Sequence, residues 1–208
     1  MKDSGVVCEP LDENNLGSDP MAEFHAWYAA AGAAGVPAHD AMTVATASPD
    51  GKPSARMVLL KQADQSGFVF YTNYDSRKGQ ELADNPHAAL VFYWAGLNRS
   101  VRVEGTVEKL SAEESDAYFA TRPRDGQLSS VTSLQSEPVG SREELDRRFD
   151  ELKRKYEGKP IERPTHWGGY RLKPARIEFW QQRFARLNDR VEFLLQPDGT
   201  WKKARLCP

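Results

Sequence analysis

Apolar residues along the chain follow two rhythms, one falling at every third or fourth position and one at every second. The first appears at once. Phe24, Trp27, Tyr28 and Ala31 share a helical face, Asp19-Pro20 supplies an N-cap and a first-turn proline, and Gly32 and Gly35 end the pattern. The second rhythm takes over in residues 42–47, 55–60 and 68–72, which Pro49-Asp50-Gly51 and a polar loop closing at Gly67 separate. These runs predict an antiparallel meander. A short helix over 76–83, closed by Asn85-Pro86, precedes strands at 88–94 and 100–107, the latter alternating through Val101, Val103 and Val107.

Two Ser-x-x-Glu capping boxes then announce helices, at Ser111/Glu114 and Ser141/Glu144. In the second, Leu145, Phe149, Leu152 and Tyr156 recur at steps of 4, 3 and 4 and leave Arg147, Arg148, Lys153 and Lys155 to solvent. Strand patterns return at 169–172, 176–180, 190–195 and 201–206, and Pro197-Asp198-Gly199 makes the last pair a hairpin. The sum is eight or nine strands and about four helices without the alternation of a doubly wound sheet. The fold class is therefore mainly β with helices, a barrel decorated by helices. Residues 1–18 lack periodicity and read as a mobile arm, with order beginning at Asp19 and a single domain over 19–208.

Composition narrows the function. The chain has 208 residues, enough for one core, and 39% are hydrophobic, which excludes wholesale disorder. Its 28 Lys and Arg face 30 Asp and Glu, so a nucleic-acid partner is not expected and an anion site has to be a local cluster. The longest largely apolar run, 88–97, is shorter than the ~18 residues of a membrane span. The acidic N-terminus is unlike a signal peptide. Cys8 and Cys207 stand at opposite ends, which fits a cytoplasmic location and argues against a zinc or redox site. Motifs for dinucleotide, P-loop, serine-hydrolase and zincin chemistry are missing, and His25, His39, His87 and His166 have no ligand spacing, so no metal is expected.

Cations placed at β-segment ends stand out instead. Arg56 and Lys61 bracket 57–60, and Arg77-Lys78 follow Ser76 at a helix start, where free amides and the dipole add to the attraction for a phosphate. A solvated basic edge is the alternative. Tyr118, Arg122, Arg124, Gln135 and Ser136 form a second set of hydroxyl and guanidinium groups suited to phosphate oxygens. A third, Phe179-Trp180-Gln181 with Arg186-Leu187-Asn188-Asp189-Arg190, suits a flat conjugated ring with a phosphate tail, or equally a core aromatic beside surface arginines.

Together these segments resemble the pyridoxamine 5'-phosphate oxidase family. The likeness runs from Asp19-Pro20 to Arg205-Leu206 through residues 50–61, Phe70-Tyr71-Thr72-Asn73, Ser76-Arg77-Lys78-Gly79, residues 90–94, Arg122-Pro123-Arg124, Trp167-Gly168-Gly169-Tyr170 and Glu178-Phe179-Trp180-Gln181. It implies an FMN-binding split β-barrel that works as a homodimer, with FMN in a groove between subunits. Arg56, Met57, Val58, Leu59, Leu60, Lys61, Tyr71, Thr72, Arg77, Lys78, Gln135, Ser136, Trp180 and Arg190 become the FMN-binding set, some of them from the partner. Lys61, Tyr118 and Arg122 would hold the phosphate of pyridoxine or pyridoxamine 5'-phosphate, with Arg186 and Leu187 over its ring and Arg186 as the catalytic residue. The implied reaction moves a hydride from C4' to the flavin, then to O2 as H2O2, leaving pyridoxal 5'-phosphate; the cofactor does the chemistry and the protein positions.

Three positions depart from the family pattern. Asn188 replaces a histidine, Ser100 a glutamine and Gly126 a serine, and all three would touch the substrate or the flavin ring. The changes leave open a paralogous flavin oxidase acting on another small ring, and a non-catalytic protein that binds FMN or pyridoxal phosphate.

Overall fold

A computed structural model of the protein describes residues 10–208, so Cys8 and the first half of the expected arm lie outside the described residues. The first helix, α1 (Pro20–Ala33), starts where the sequence places it: the Asp19 carboxylate accepts from the Met21 amide at 2.8 Å, and Pro20 occupies the first turn. Its Met21, Phe24, Trp27 and Ala31 are buried.

Nine strands follow: β1 (Ala41–Ala47), β2 (Pro53–Leu59), β3 (Gln62–Asp64), β4 (Gly67–Asn73), β5 (His87–Trp94), β6 (Arg99–Lys109), β7 (Trp167–Gln181), β8 (Asp189–Leu195) and β9 (Trp201–Arg205). Between them lie α2 (Arg77–Asp84), α3 (Ala112–Thr121), α4 (Arg124–Thr132) and α5 (Arg142–Lys155). All strand pairs are antiparallel, in the order β2-β1-β5-β6-β7-β4-β3, with β8 on β7 and β9 on β8.

The expected meander is thus corrected. β1 and β2 form a hairpin, but β4 leaves β2 and pairs with β7. Burial explains the choice: Phe68, Val69 and Phe70 are fully buried and need cover on both faces, whereas every residue of β2 stays at least partly open, as an edge strand can. β3, read from sequence as loop, forms the short outer edge beside β4. α4 was not expected either; it follows Arg122-Pro123 with no side-chain cap.

The two strands expected at 169–172 and 176–180 are one strand of 15 residues. β6 lines one edge of it over residues 170–181, while on the other edge β4 pairs with residues 167–172 and β8 with 176–181. The fork falls at Lys173-Pro174-Ala175. Proline has no N–H to offer a second neighbour there, and the register against β6 slips by one residue so that Ala175 is the extra one, a β-bulge that bends the strand. Gly105 on β6 permits it: a Cβ at that position would lie 2.0 Å from the Lys173 carbonyl oxygen.

α1 covers the concave side of the sheet. Phe24 meets Phe68 edge-on at 4.8 Å and Phe92 at 5.1 Å, and the Trp27 ring meets Phe179 at 5.2 Å. A second, smaller core joins Phe119, Leu128, Ile161 and Trp167 to the half-buried Phe149, Leu152 and Tyr156 of α5 and its end. Both capping serines accept from the third amide of their helices, but only Ser111 has the reciprocal contact; the Glu144 carboxylate reaches the Gly140 amide instead of Ser141. Order begins before Asp19: Leu11 is buried, its amide donates to Asp189 at 3.1 Å, its carbonyl accepts from Arg205 at 2.7 Å, and Lys203 donates to Leu16 O at 2.6 Å. No described helix is long and apolar enough to cross a membrane.

The fork makes a prediction. Gly105→Ala should cost about 1–3 kcal/mol of stability, the usual range for overpacking, read as a lowered thermal midpoint of the purified protein. Gly96→Ala, whose Cβ would meet nothing nearer than Val36 at 3.6 Å, is the control and should change stability by less than about 0.5 kcal/mol.

Candidate functional site

β2, β4, the start of α2, the Tyr118–Arg122 end of α3, and α4 with the loop after it enclose a cleft of about 690 Å³. Of the residues singled out from sequence, Arg56, Met57, Val58, Leu59, Lys61, Tyr71, Thr72, Arg77, Lys78, Tyr118, Arg122, Gln135 and Ser136 line it. Leu60 does not; it is buried in the main core.

The start of α2 is built around Ser76, which is fully buried. Its hydroxyl donates to Asn73 O at 2.7 Å and receives the Lys78 ammonium at 3.0 Å. Lys78 also donates to Gln135 Oε1 at 2.6 Å, and Thr72 donates to the same oxygen at 3.1 Å. Both partners of the lysine are neutral although its side chain is almost wholly buried, and burial together with nearby Arg56 lowers its pKa to about 8. A buried cation held by neutral oxygens at a cleft wall is suited to an anion. The Arg77 amide donates to Ser136 Oγ at 3.2 Å, tying the loop after α4 to the helix start.

Beneath these cations lies a carboxylate that the sequence reading missed. Glu81 is 7% exposed and accepts from Ser54 at 2.6 Å, from Thr46, from Arg77 Nε at 2.9 Å and from Arg56 at 3.4 Å. Burial alone would raise its pKa, but the hydrogen bonds from Ser54, Thr46 and Arg77 outweigh that and hold it at about 2. Arg56 in turn donates to Thr46 Oγ1 at 2.6 Å, Ser54 Oγ at 2.5 Å and Val44 O at 3.2 Å. The available signals were the i, i+4 spacing of Arg77 and Glu81 and the period-two spacing of Ser54 and Arg56.

The remaining wall is aromatic. Tyr71 stacks on Tyr118 at 3.8 Å, with Trp167 parallel to both, and the Arg122 guanidinium lies 4.6 Å over the Trp167 ring while donating to Ser130. Burial raises the pKa of both tyrosines, so each stays a neutral hydroxyl donor. Lys61 pairs with Asp40 at 3.4 Å. Gly126 faces Arg122, with space for a Cβ at 3.4 Å from its Nη2.

Trp180, Arg190, Arg186 and Leu187 do not line this cleft in their own chain. Trp180 borders a shallow depression on the sheet with Val91, Tyr93, Ser100, Arg102 and Glu178. Arg190 grips Glu178 through two contacts, 2.7 and 3.1 Å, and donates to Cys207 O. The Ser100 hydroxyl is spent on Phe92 O. Arg186 and Leu187 sit on the exposed loop between β7 and β8, where Ala185 and Arg186 have φ of +55° and +62° and Asn188 closes the loop by accepting from the Arg183 amide at 2.9 Å.

A nine-stranded antiparallel sheet that forks along one strand and carries a cationic cleft beside its β2 edge is a split β-barrel. The model of the pyridoxamine 5'-phosphate oxidase family matches residues 29–156, and that of the pyridoxine 5'-phosphate oxidase C-terminal dimerisation region matches residues 167–208. The chain is 54% identical over 200 residues to a protein of Trichormus variabilis named pyridoxine/pyridoxamine 5'-phosphate oxidase, covering 96% of this chain and 94% of that one. It is 55% identical over 198 residues to one of the same name from Rubrobacter xylanophilus, covering 95% and 91%. Among solved structures it is similar to PhzG of Burkholderia lata in complex with tetrahydrophenazine-1-carboxylic acid (TM-score 0.90, 30% identity, 97% and 99% covered). It also shares its fold with a pyridoxamine 5'-phosphate oxidase-related, FMN binding protein of Nostoc punctiforme (TM-score 0.74, 16% identity, 93% and 100% covered). The chain belongs to the pyridoxamine 5'-phosphate oxidase family.

The buried lysine sets a pH dependence. Its folded pKa lies below that of an unfolded lysine, so the ligand-free protein should gain stability as pH rises from about 8 towards 10.5, while affinity for inorganic phosphate falls over the same interval. Thermal midpoints and phosphate titrations across that range check both signs, and Lys78→Met should flatten both.

Proposed function

We propose that this protein is an FMN-dependent oxidase that converts pyridoxine 5'-phosphate or pyridoxamine 5'-phosphate, with O2, to pyridoxal 5'-phosphate and H2O2. The observation that carries the reading is one cleft holding two separate cation sets, Arg77 with Lys78 and Lys61 with Arg122, joined by an aromatic wall. A flavin phosphate and a substrate phosphate require two such sets, and flat rings require such a wall. The residues present fit FMN: the Lys78 ammonium is buried against neutral oxygens only, and Thr72, Gln135 and Ser136 place further polar groups around it.

When bound, FMN supplies the hydride acceptor and passes electrons to O2. Lys78, Arg77 and Ser136 hold its phosphate; 57–59 of β2 present backbone and apolar side chains along the cleft. Lys61, Tyr118 and Arg122 hold the substrate phosphate, the tyrosine as a donor because it remains protonated. Trp180, Arg190, Arg186 and Leu187, remote from the cleft of their own chain, reach it from a second copy, in keeping with a C-terminal region that matches a dimerisation model. Arg186 then faces the reacting carbon of the substrate. The work of these residues is to bind, orient and exclude water, which accounts for the absence of an acid–base dyad.

A paralogous oxidase acting on another ring is the second reading. The PhzG neighbour with its tetrahydrophenazine-1-carboxylic acid supports it, as do Asn188, Gly126 and Ser100, whereas identities above 50% to proteins named pyridoxine/pyridoxamine 5'-phosphate oxidase support the first.

Anaerobic addition of pyridoxine 5'-phosphate should bleach the flavin absorbance of the purified protein, and air should restore it. A yellow protein that does not bleach would shift the reading to another substrate or to binding alone. Shared sites make a second test: Lys78→Ala and Arg190→Ala subunits, each inactive alone, should regain up to about a quarter of native activity when co-refolded, since half of a random pool is mixed and each mixed dimer has one intact site. Activity that fails to return would mean that Arg190 does not reach the cleft from a second copy.

A further inference from the structure

Glu81 is an odd occupant of an anion site. A buried carboxylate beneath the cations that are to hold a phosphate repels it, and simple electrostatics would remove it. Its contacts suggest why it is there. Its two oxygens take hydrogen bonds from three elements: Thr46 on β1, Ser54 on β2 and Arg77 on its own helix, with Arg56 of β2 at 3.4 Å. Thr46 and Ser54 each donate to Glu81 and accept from Arg56, so the carboxylate fixes the hydroxyl directions and the hydroxyls fix the guanidinium. Arg77, 64% exposed at its side chain, is otherwise a long surface cation, and its contact with Glu81 Oε1 restrains it at the cleft. The same group joins the edge strand β2 to α2, the two walls that carry the cations.

We infer that Glu81 is a positioning residue for the phosphate-binding cations, holding Arg56 and Arg77 in place through Thr46 and Ser54, and that this ordering outweighs the repulsion of its charge. The inference rests on the reading of this cleft as the FMN site. It also implies a ligand class. Arg56, Arg77 and Lys78 against Glu81 leave a net charge of two, matched to a phosphate monoester dianion rather than to a diester or a neutral ring.

The test is the ratio of affinities for FMN and for riboflavin, which lacks the phosphate, measured by quenching of flavin fluorescence on the full-length ligand-free protein. Glu81→Gln keeps the shape but removes the charge and turns one accepting oxygen into an NH2 donor, so that either Arg77 or the Thr46 and Ser54 hydroxyls lose their acceptor. A purely electrostatic role predicts tighter FMN binding; positioning predicts FMN binding weakened about tenfold or more, equivalent to ~1.4 kcal/mol, with riboflavin binding unchanged. Thr46→Val, which leaves every charge in place and breaks only the relay, should lower the FMN-to-riboflavin ratio in the same direction and stands alone should Glu81→Gln not fold. Tighter or equal FMN binding by Glu81→Gln, an unchanged ratio in Thr46→Val, or an equal loss of both flavins would overturn the inference while leaving the FMN site intact. Native protein that binds neither flavin would overturn the FMN reading and this inference with it.

Discussion

The forked strand β7 is the constraint on which the rest of the molecule depends. Of its fifteen residues, those from 170 to 181 run against β6 along one edge, while the other edge takes two different strands, and the change of partner is possible only where Pro174 withholds an amide and Ala175 adds a residue. One half of the strand brings β4, and with it Tyr71, Thr72 and the approach to α2, into the sheet. The other half carries Trp180 and binds β8, from which Arg190 projects. The cleft residues and the residues remote from it are therefore set by the two halves of one strand, and a shift of register on either side would move one group relative to the other.

Around that frame the site is an exercise in holding charge without neutralising it. Lys78 has neutral oxygens as partners, and Arg122 lies on an indole face. Glu178, by contrast, meets Arg102 and Arg190 directly, the latter through two contacts. Within the cleft Glu81 offsets only part of the charge of Arg56 and Arg77, and neither Lys78 nor Arg122 has a carboxylate partner among the described residues, so that part of the cationic field remains for a ligand.

Much of this was legible in the sequence, and what was not has a common cause. α1, the capped starts of α3 and α5, and the β8–β9 hairpin are dictated by neighbours in the chain: Asp19-Pro20, Ser111, Ser141 and Pro197-Asp198-Gly199 act within a few residues. The partner of β4 is about a hundred residues away, and no local pattern names it. The gap at 173–175 between two expected strands holds Pro174, and only the bulge opposite Gly105 lets one strand run through it. Thirteen of the sequence-derived site residues share the cleft because motif residues stay together when strands do. Glu81 escaped because a carboxylate in a short polar helix looks like any solvated one until Thr46 and Ser54 are seen above it.

The burial of Lys78 has a consequence for the protein in its cellular setting. A cation desolvated without a countercharge is an unfinished part of the fold, and any phosphate that completes it becomes a folding partner as well as a ligand. At a hundredfold excess over its dissociation constant such a partner adds about 2.7 kcal/mol to stability, a large share of what a domain of this size possesses. The lifetime of the polypeptide is then coupled to the supply of the molecule it binds, and protein made in excess of that supply is the first to be lost to proteolysis.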